Sequence, residues 1–254
     1  MASGSSVLTL RCFYHTLRIS VPTVVDAVRG RLTLDASDAR LRDWAETLVA
    51  ITRTELRVEG EQNIPPEACI VMSNHQSHSD IPLLYAAIPK HIRMRMVAKA
   101  ELFRVPIWGR AMHLAGFIPI DRADRASAIA SLEIAKRDLT AGTFIWIAPE
   151  GTRSRSGELG HLKKGGFILA RDTGRPILPV CINGSGRVIP ARELTTYREQ
   201  PVQVTFRPLI QTQGRSLEDV MADVRRAIDP TAALAPASLP SLPPQRLPDE
   251  PSPA

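Results

Sequence analysis

The 254-residue chain is poor in cysteine and in aromatic residues, and it has no long hydrophobic run. Its three cysteines, Cys12, Cys69 and Cys181, lie far apart and lack the spacing of metal ligands, as is typical of a reduced cytosolic protein. Aromatic residues make up 5% of the chain and do not alternate with basic residues, which disfavours nucleic acid as a partner. No segment approaches 18 consecutive apolar residues and no signal peptide is indicated, so we expect a cytoplasmic protein.

The composition favours one large domain with an anionic partner. With 44% apolar residues, the chain can bury a full core. Its net charge of +6 favours a membrane surface or a phosphorylated substrate. Residues 231–254 are rich in Pro, Ala and Ser and contain seven prolines, which predicts a disordered tail. We therefore divide the chain into N-terminal amphipathic helices (1–53), one folded domain (54–230) and this tail.

Two amphipathic helices are predicted in the N-terminal segment. Apolar residues of the first recur at helical spacing, with basic residues on other faces: Leu10, Phe13, Tyr14, Leu17 and Val21. Such a stripe fits either a helix lying on anionic lipid or a helix packed on the domain. The second pattern runs from Leu41 to Ile51, with Ser37 or Asp38 as the predicted cap.

Past residue 54, short apolar runs alternate with helical patterns. The strand-like runs are TELRVE, ACIVM, RMVA, FIPI, TFIWIA, PILPVCI and VQVTFRPL. The clearest helix spans 125–139, and a final helix begins at the capping pattern Ser216 to Asp219 and ends at Pro230. This alternation predicts an α/β fold: a single domain with a mixed, largely parallel sheet covered by helices, preceded by the N-terminal amphipathic helices.

The stretch SNHQSHSD, from Ser73 to Asp80, directly follows the apolar run ACIVM. Because Pro82 is tolerated only in a first helical turn, a helix is predicted to start near Asp80, which is placed like an N-cap. A loop entering that helix can also bring the His75 imidazole onto the Asp80 carboxylate, leaving the other ring nitrogen to take a proton from a hydroxyl. Spacing alone leaves the cap and the catalytic pair both open. His78 has no such carboxylate, which favours a structural or solvated loop residue.

Two further polar stretches also follow strands. APEGTRSRSG follows TFIWI, and GFIPIDR ends on Asp121 and Arg122. Backbone N–H groups around Gly151, with Arg153 nearby, suit a phosphate, whereas the alternative is a solvated turn in which Glu150 pairs with Arg153. Sites in α/β sheets collect at the carboxyl ends of strands, so a base, an acid and anion-binding cations are predicted to meet at one edge.

In order and spacing these stretches resemble the four motifs of the glycerophospholipid acyltransferases, and most of all the 1-acyl-sn-glycerol-3-phosphate (lysophosphatidic acid) branch. The matching positions are Asn74-His75 with Asp80, Gly116 to Arg122, Pro149 to Ser154, and Pro176 to Val180. The resemblance covers roughly residues 54 to 210. Two departures stand beside polar positions: Ala148 replaces a frequent phenylalanine, and Pro119 interrupts an apolar run. Both bear on acyl-chain fit and loop shape more than on reaction type.

The resemblance implies that His75, oriented by Asp80, deprotonates the free hydroxyl of a lysophospholipid, which then attacks the thioester of acyl-CoA or acyl carrier protein. No metal or cofactor is expected, because a thioester is already an activated acyl group. The implied phosphate-binding residues are Arg122 and the loop from Glu150 to Arg153. The implied substrate-binding residues are, in full, Asn74, Lys99, Arg122, Glu150, Gly151, Thr152 and Arg153. For Lys99, an exposed surface lysine is the open alternative.

Three other functions remain open at this point. The acceptor can be another lysolipid, such as a lyso-aminolipid, because relatives that share these motifs differ in head group. The same pair can activate water in a thioester hydrolase, although a hydrolase does not need cations for an acceptor phosphate. A catalytically inactive membrane-associated scaffold is disfavoured, because each polar motif position is present. For acyl transfer to a lysolipid, whose substrate and product lie in a bilayer, peripheral binding to the anionic cytoplasmic face of a membrane is expected, through basic residues and the first helix.

Overall fold

The computed structural model describes residues 4–121, 123–154, 156–191 and 193–231. In this part of the chain seven strands form one sheet: β1 (Glu55–Glu59), β2 (Ile70–Ser73), β3 (Met94–Lys99), β4 (Ile118–Ile120), β5 (Phe144–Ile147), β6 (Ile177–Asn183) and β7 (Pro201–Phe206). The α-helices are α1 (Ser6–Val28), α2 (Leu34–Thr52), α3 (Asp80–Ala87), α4 (Trp108–Leu114), α5 (Arg125–Thr140), α6 (Gly165–Thr173), α7 (Ser185–Val188) and α8 (Leu217–Ile228). Every predicted strand is present, and α8 begins at the predicted Ser216 cap.

The sheet has the strand order β1-β7-β6-β2-β5-β3-β4. Strands β6, β2, β5, β3 and β4 are parallel, with Ile70 of β2 opposite both Ile145 and Ile177. Strand β7 is antiparallel to β6 and parallel to β1, so the β1–β7 pair runs against the other five strands. This arrangement confirms the predicted mixed, largely parallel sheet. It also places the carboxyl ends of β2, β5, β3 and β4 at one edge.

Two buried clusters lie on opposite faces of the sheet. Val71 points into the cluster covered by α2, α3 and α4, whereas its neighbours Ile70 and Met72 point into the cluster covered by α5, α6 and α8. Strands buried on both faces read as continuous apolar runs, which is why β2, β5 and β6 are legible in the sequence.

The N-terminal helices pack on the domain, with α1 against α2 and α4, and α2 against α3. Thr33 caps α2, because its side-chain oxygen accepts a hydrogen bond from the Ala36 N–H at 3.1 Å. The predicted cap at Ser37 or Asp38 is therefore wrong: α2 starts several residues earlier. Asp38 instead forms ion pairs of 2.6 Å with Arg93 and with the buried Arg95 of β3, which tie α2 to the sheet.

Helix α1 turns its small polar residues inward and its apolar stripe outward. Ser20 and Thr23 are buried, and their hydroxyls donate to carbonyl oxygens one turn earlier in the same helix. Leu10 and Phe13 are 68% and 53% exposed, and Tyr14 and Val21 are exposed as well. The helix thus packs on the domain and still leaves most of the predicted stripe uncovered. None of the helices within the described residues is both long and apolar enough to cross a bilayer. The predicted tail lies outside the described residues apart from Thr231.

Candidate active site

His75 and Asp80 lie at the carboxyl end of β2, in the centre of the sheet. The turn of residues 74–79, here called the dyad turn, connects β2 to α3, whose first residue is Asp80. His75 Nδ1 and Asp80 Oδ2 are 2.7 Å apart. The Asp80 side chain is fully buried, and 20% of the His75 side chain is exposed. The contact predicted between the two side chains is present.

Backbone N–H groups of the dyad turn hold the Asp80 carboxylate in place. Asp80 Oδ2 accepts hydrogen bonds from the N–H groups of Gln76 at 2.8 Å and Ser77 at 3.0 Å. Asp80 is therefore not the N-cap of α3: it is the first helical residue, and its carboxylate points back over the turn before the helix. These donors fix the position of Oδ2 beside the imidazole.

The geometry gives the two nitrogens of His75 different roles. With an ionised Asp80, Nδ1 carries the proton and donates it, so Nε2 of the neutral ring has the free lone pair. No group among the described residues forms a hydrogen bond with Nε2. The edge of the Trp146 ring packs against the imidazole, with centroids 6.4 Å apart, and Trp146 Nε1 donates to Ser73 Oγ at 2.9 Å. Nε2 is thus placed to accept a proton from a bound hydroxyl group.

The loop after β5 holds His75 through its backbone. Glu150 is buried, and its Oε1 accepts a hydrogen bond from the His75 N–H at 2.7 Å, while its Oε2 accepts one from the Gly160 N–H at 2.9 Å. On the other side of the residue, the Ser154 N–H donates to the His75 carbonyl at 2.7 Å. Burial raises the pKa of Glu150 above its usual range, and the two N–H donors oppose that rise.

Glu150 and Asn74 were both predicted to contact substrate, and in this structure their side-chain polar atoms form hydrogen bonds with backbone groups. Both oxygens of Glu150 bind backbone, and they do so instead of pairing with Arg153. The buried Asn74 amide donates to the Ile182 carbonyl at 2.7 Å and accepts from the Ile182 N–H at 2.8 Å, which continues the pairing of β2 with β6. Both side chains therefore hold the backbone around His75 in place.

The other predicted site residues differ from one another in exposure and in ion pairing. Arg153 is half-buried, and none of the described carboxylates forms an ion pair with it. Lys99 ends β3 with its side chain 65% exposed, and its Nζ lies 3.0 Å from Glu101 Oε1. Thr152 is exposed, and Gly151 has a φ of +76°, a conformation that favours glycine. Arg122 lies outside the described residues.

An apolar cavity of about 360 Å³ opens beside the dyad turn, beneath α1. Its walls come from α1, α2, the starts of α3 and α4, and the segment around residues 188–196, and include Phe13, Trp44, Leu48, Val49, Ile81, Trp108, Ile189 and Leu194. His78 lies at its rim with one side exposed to solvent. Partial desolvation lowers the pKa of His78, the nearby Arg153 guanidinium lowers it further, and the Asp80 carboxylate opposes the shift. The sequence patterns did not predict this cavity.

Two serine hydroxyls of the dyad turn, also missed from the sequence, attach it to the segment after β6. Ser77 Oγ donates to the Ile189 carbonyl at 2.6 Å, and Ser79 Oγ donates to the Ser185 carbonyl at 3.0 Å. Ser77 Oγ also accepts the Ser79 N–H at 3.0 Å. The hydroxyls stand between the histidine and the aspartate in sequence, and that position was the one available sign of a structural role.

Comparisons with known proteins show which family the chain resembles. Residues 55–183, half of the chain, match the protein family described as Acyltransferase. The chain is 34% identical over 135 residues to a chloroplastic 1-acyl-sn-glycerol-3-phosphate acyltransferase of Brassica napus, which covers 52% of this chain and 38% of that protein. It is 33% identical over 200 residues to the 1-acyl-sn-glycerol-3-phosphate acyltransferase alpha of Mus musculus, covering 78% and 69%. The chain thus spans little more than a third of its plant relative and about two thirds of its mouse relative.

A solved structure is similar over nearly the whole chain. The 1-acyl-sn-glycerophosphate (LPA) acyltransferase PlsC of Thermotoga maritima superposes with a TM-score of 0.74 at 26% identity, covering 92% of this chain and 97% of that one. The fold, the family match and the residues around His75 lead to the same assignment. The chain belongs to the Acyltransferase family.

Proposed function

We propose that this protein transfers a fatty acyl group from an acyl thioester to the free hydroxyl of 1-acyl-sn-glycerol-3-phosphate, giving phosphatidic acid. The observation that carries the proposal is the His75–Asp80 pair, which lies in a turn whose residues His78 and Ser79 line an apolar cavity. The names of the relatives support the choice of acceptor, since they are 1-acyl-sn-glycerol-3-phosphate acyltransferases.

In the proposed reaction His75 moves one proton. Nε2 removes it from the acceptor hydroxyl as the oxygen attacks the thioester carbonyl, and Asp80 stabilises the imidazolium that forms. When the tetrahedral intermediate collapses, the C–S bond breaks and the imidazolium returns the proton to the leaving thiolate. The histidine and the aspartate end the cycle in their starting states, so the protein needs no resident cofactor for this chemistry.

The apolar cavity is the proposed seat of a fatty acyl chain. Transfer of a methylene group from water into an apolar environment is favourable by about 0.8 kcal/mol, so a chain of many carbons binds without specific polar contacts. The cavity also includes Ser79 and His78 among its lining residues, next to the dyad. An acyl chain bound there can extend its reactive end toward the dyad turn. Either acyl-CoA or acyl carrier protein can supply such a chain.

The acceptor phosphate is proposed to bind at the loop after β5. Arg153 is half-buried and unpaired within the described residues, so its guanidinium can form charge-assisted hydrogen bonds with a phosphate. It also lies close enough to His78 to affect the pKa of that histidine. Arg122 is proposed as a second phosphate ligand on the strength of the motif alone.

The substrates are lipids, and the outward stripe of α1 provides a route to them. We propose that this stripe adsorbs to the cytoplasmic face of a membrane, where the net positive charge of +6 adds attraction to anionic head groups. Because α1 also forms one wall of the apolar cavity, adsorption by this surface brings the cavity close to the bilayer.

The decisive experiment measures thiol release from an acyl thioester with and without acceptor. Acyl transfer predicts release that depends on 1-acyl-sn-glycerol-3-phosphate, together with phosphatidic acid detected by mass spectrometry. A lyso-aminolipid tested in parallel as the acceptor shows which head group supports acyl transfer. Thiol release that is indifferent to every acceptor would instead establish a thioester hydrolase.

Arg153→Ala tests the acceptor site in the same assay. Loss of a charge-assisted contact to phosphate is expected to raise the KM for the acceptor about 10-fold while the KM for the donor stays the same. Arg171→Ala is the matched control, because Arg171 lies in α6 and pairs with its neighbour Asp172. Equal changes in both KM values would remove Arg153 from the acceptor site.

A further inference from the structure

Arg225 of α8 contacts the loop that holds His75, although α8 lies beyond the family match at residues 55–183. Its Nη1 donates to the Gly160 carbonyl at 2.8 Å, and its Nη2 donates to the Leu159 carbonyl at 3.0 Å. The guanidinium therefore binds two successive carbonyl oxygens. On the inner face of the helix Val224 is fully buried, which holds this turn of α8 against the domain.

The peptide group between Leu159 and Gly160 connects Arg225 to Glu150. Arg225 donates to its carbonyl oxygen, and the N–H of the same peptide donates to Glu150 Oε2 at 2.9 Å. A cation on the carbonyl side polarises the peptide and makes its N–H a stronger donor. Glu150 Oε1 then accepts the His75 N–H at 2.7 Å. The contacts form one uninterrupted chain from α8 to the backbone of the proposed base.

Glu150 depends on this chain because its carboxyl group is buried. Burial disfavours the carboxylate, and its hydrogen bonds come from backbone N–H groups rather than from a lysine or arginine of the described residues. Through the polarised Leu159–Gly160 peptide, Arg225 thus strengthens a hydrogen bond to Glu150, although the guanidinium does not contact the Glu150 side chain. Space around Gly160 is also limited: a Cβ there would lie 3.2 Å from Glu150 Oε2.

We propose that Arg225 is a positioning residue, which acts through the Leu159–Gly160 peptide and Glu150 to hold the backbone of His75 at the dyad turn. The proposal rests on the proposed function, because it assigns Arg225 to the same reaction. Arg225 touches neither substrate site, so its loss is expected to slow the chemical step and leave the binding of both substrates intact.

Three variants of the full chain test this role: Arg225→Ala, Arg225→Lys and the control Arg226→Ala. Arg226 is the adjacent exposed arginine of α8, and it pairs with Asp223 instead of the loop. We expect Arg225→Ala to lower kcat about 10-fold with both KM values unchanged, because a small displacement of a catalytic group is costly. Lysine can reach one carbonyl and should restore part of the loss, whereas Arg226→Ala should behave as wild type.

Amide hydrogen exchange provides a readout that needs no substrate. Arg225→Ala should speed exchange at Gly160 and His75 and leave the Ile182 amide, which is bonded to Asn74, as protected as in wild type. Normal kcat in Arg225→Ala, an equal loss in Arg226→Ala, or faster exchange throughout the sheet would each overturn the proposal. A wild-type protein without acyl transfer would refute the proposed function, while unchanged exchange at Gly160 and His75 would separately refute the chain of contacts.

Discussion

The two sides of the dyad turn are built in different ways. On the polar side, hydrogen bonds of 2.7–3.0 Å, most of them donated by backbone N–H groups, join the dyad turn to Asp80 and to Glu150 of the loop after β5. On the apolar side, a cavity of about 360 Å³ is enclosed by side chains from α1, α2 and the segment around residues 188–196. The polar side fixes the positions of individual atoms, whereas the apolar side provides a volume.

This difference predicts different tolerance to substitution. A buried hydrogen-bonding group that loses its partner has no substitute nearby, so changes on the polar side should be abrupt. An apolar wall tolerates changes of side chain as long as its volume and polarity persist. Changes there should alter which substrates fit more than how fast the best one reacts.

The largest effect is expected from His75→Ala, which removes the proposed base from the polar side. A positioned general base contributes about 10²–10⁴-fold, so acyl transfer should fall by that factor at saturating substrate. The unfolding temperature should hardly change, because the fold around the turn is held by Asp80 and by backbone contacts. His113→Ala, an exposed histidine of α4, serves as the control. Wild-type turnover in His75→Ala would assign the chemistry to another group.

Asp80→Asn separates the geometry of the polar side from its charge. The amide oxygen can still accept the N–H groups of Gln76 and Ser77, so the fold should persist. A neutral amide stabilises the imidazolium far less, and turnover should fall about 10²-fold. Steady-state kinetics and thermal unfolding on the same preparation provide the comparison. Unchanged turnover would return Asp80 to a purely structural role.

A double substitution on α1, Leu10→Ser with Phe13→Ser, tests the outward stripe next to the cavity. Both side chains are more than half exposed, so the domain should fold, while vesicle binding loses the burial of two large apolar groups. We expect affinity for anionic vesicles to drop about 30-fold in co-sedimentation. Ile129→Ser on α5, which is 52% exposed, is the control and should bind normally. Equal losses in both proteins would argue against a dedicated membrane surface.

The smallest effect is expected from filling the cavity with Val49→Phe. The larger ring should lower kcat/KM for long acyl donors about 10-fold relative to short ones, while kcat for a short donor stays normal. Donors of graded chain length measure the ratio directly. Val28→Phe makes the same change at a position that is 83% exposed and should leave the ratio alone. An equal loss of kcat/KM for donors of every chain length would mean that the apolar cavity and the dyad turn do not act independently.

The contrast also explains which features were predictable from the sequence. The strands and the His75–Asp80 pair are encoded in contiguous stretches, since buried parallel strands are apolar runs and the pair spans six residues. The roles of Asn74 and Glu150 depend on partners elsewhere in the chain, Ile182 and Gly160, that no local pattern indicates.

The apolar cavity was still less accessible to sequence reasoning. Its lining runs from Thr9 to Thr196 and consists of ordinary core and helix residues, so its shape exists only after α1, α2 and the segment after β6 have packed together. The start of α2 was misplaced for a related reason. Asp38 looks like a cap in the sequence, but its carboxylate is used by Arg93 and Arg95 of a distant strand region.

The hydrogen bonds of the dyad turn have a consequence for biosynthesis. Asn74 bonds to a residue 108 positions later in the chain, and Ser77 to one 112 positions later. A nascent chain therefore cannot complete the turn until residues 182 and 189 have left the ribosome, long after α1 has emerged. During translation the apolar stripe of α1 is exposed well before the histidine has its final surroundings. Products that terminate before residue 182 should consequently display that stripe and lack a finished site for acyl transfer.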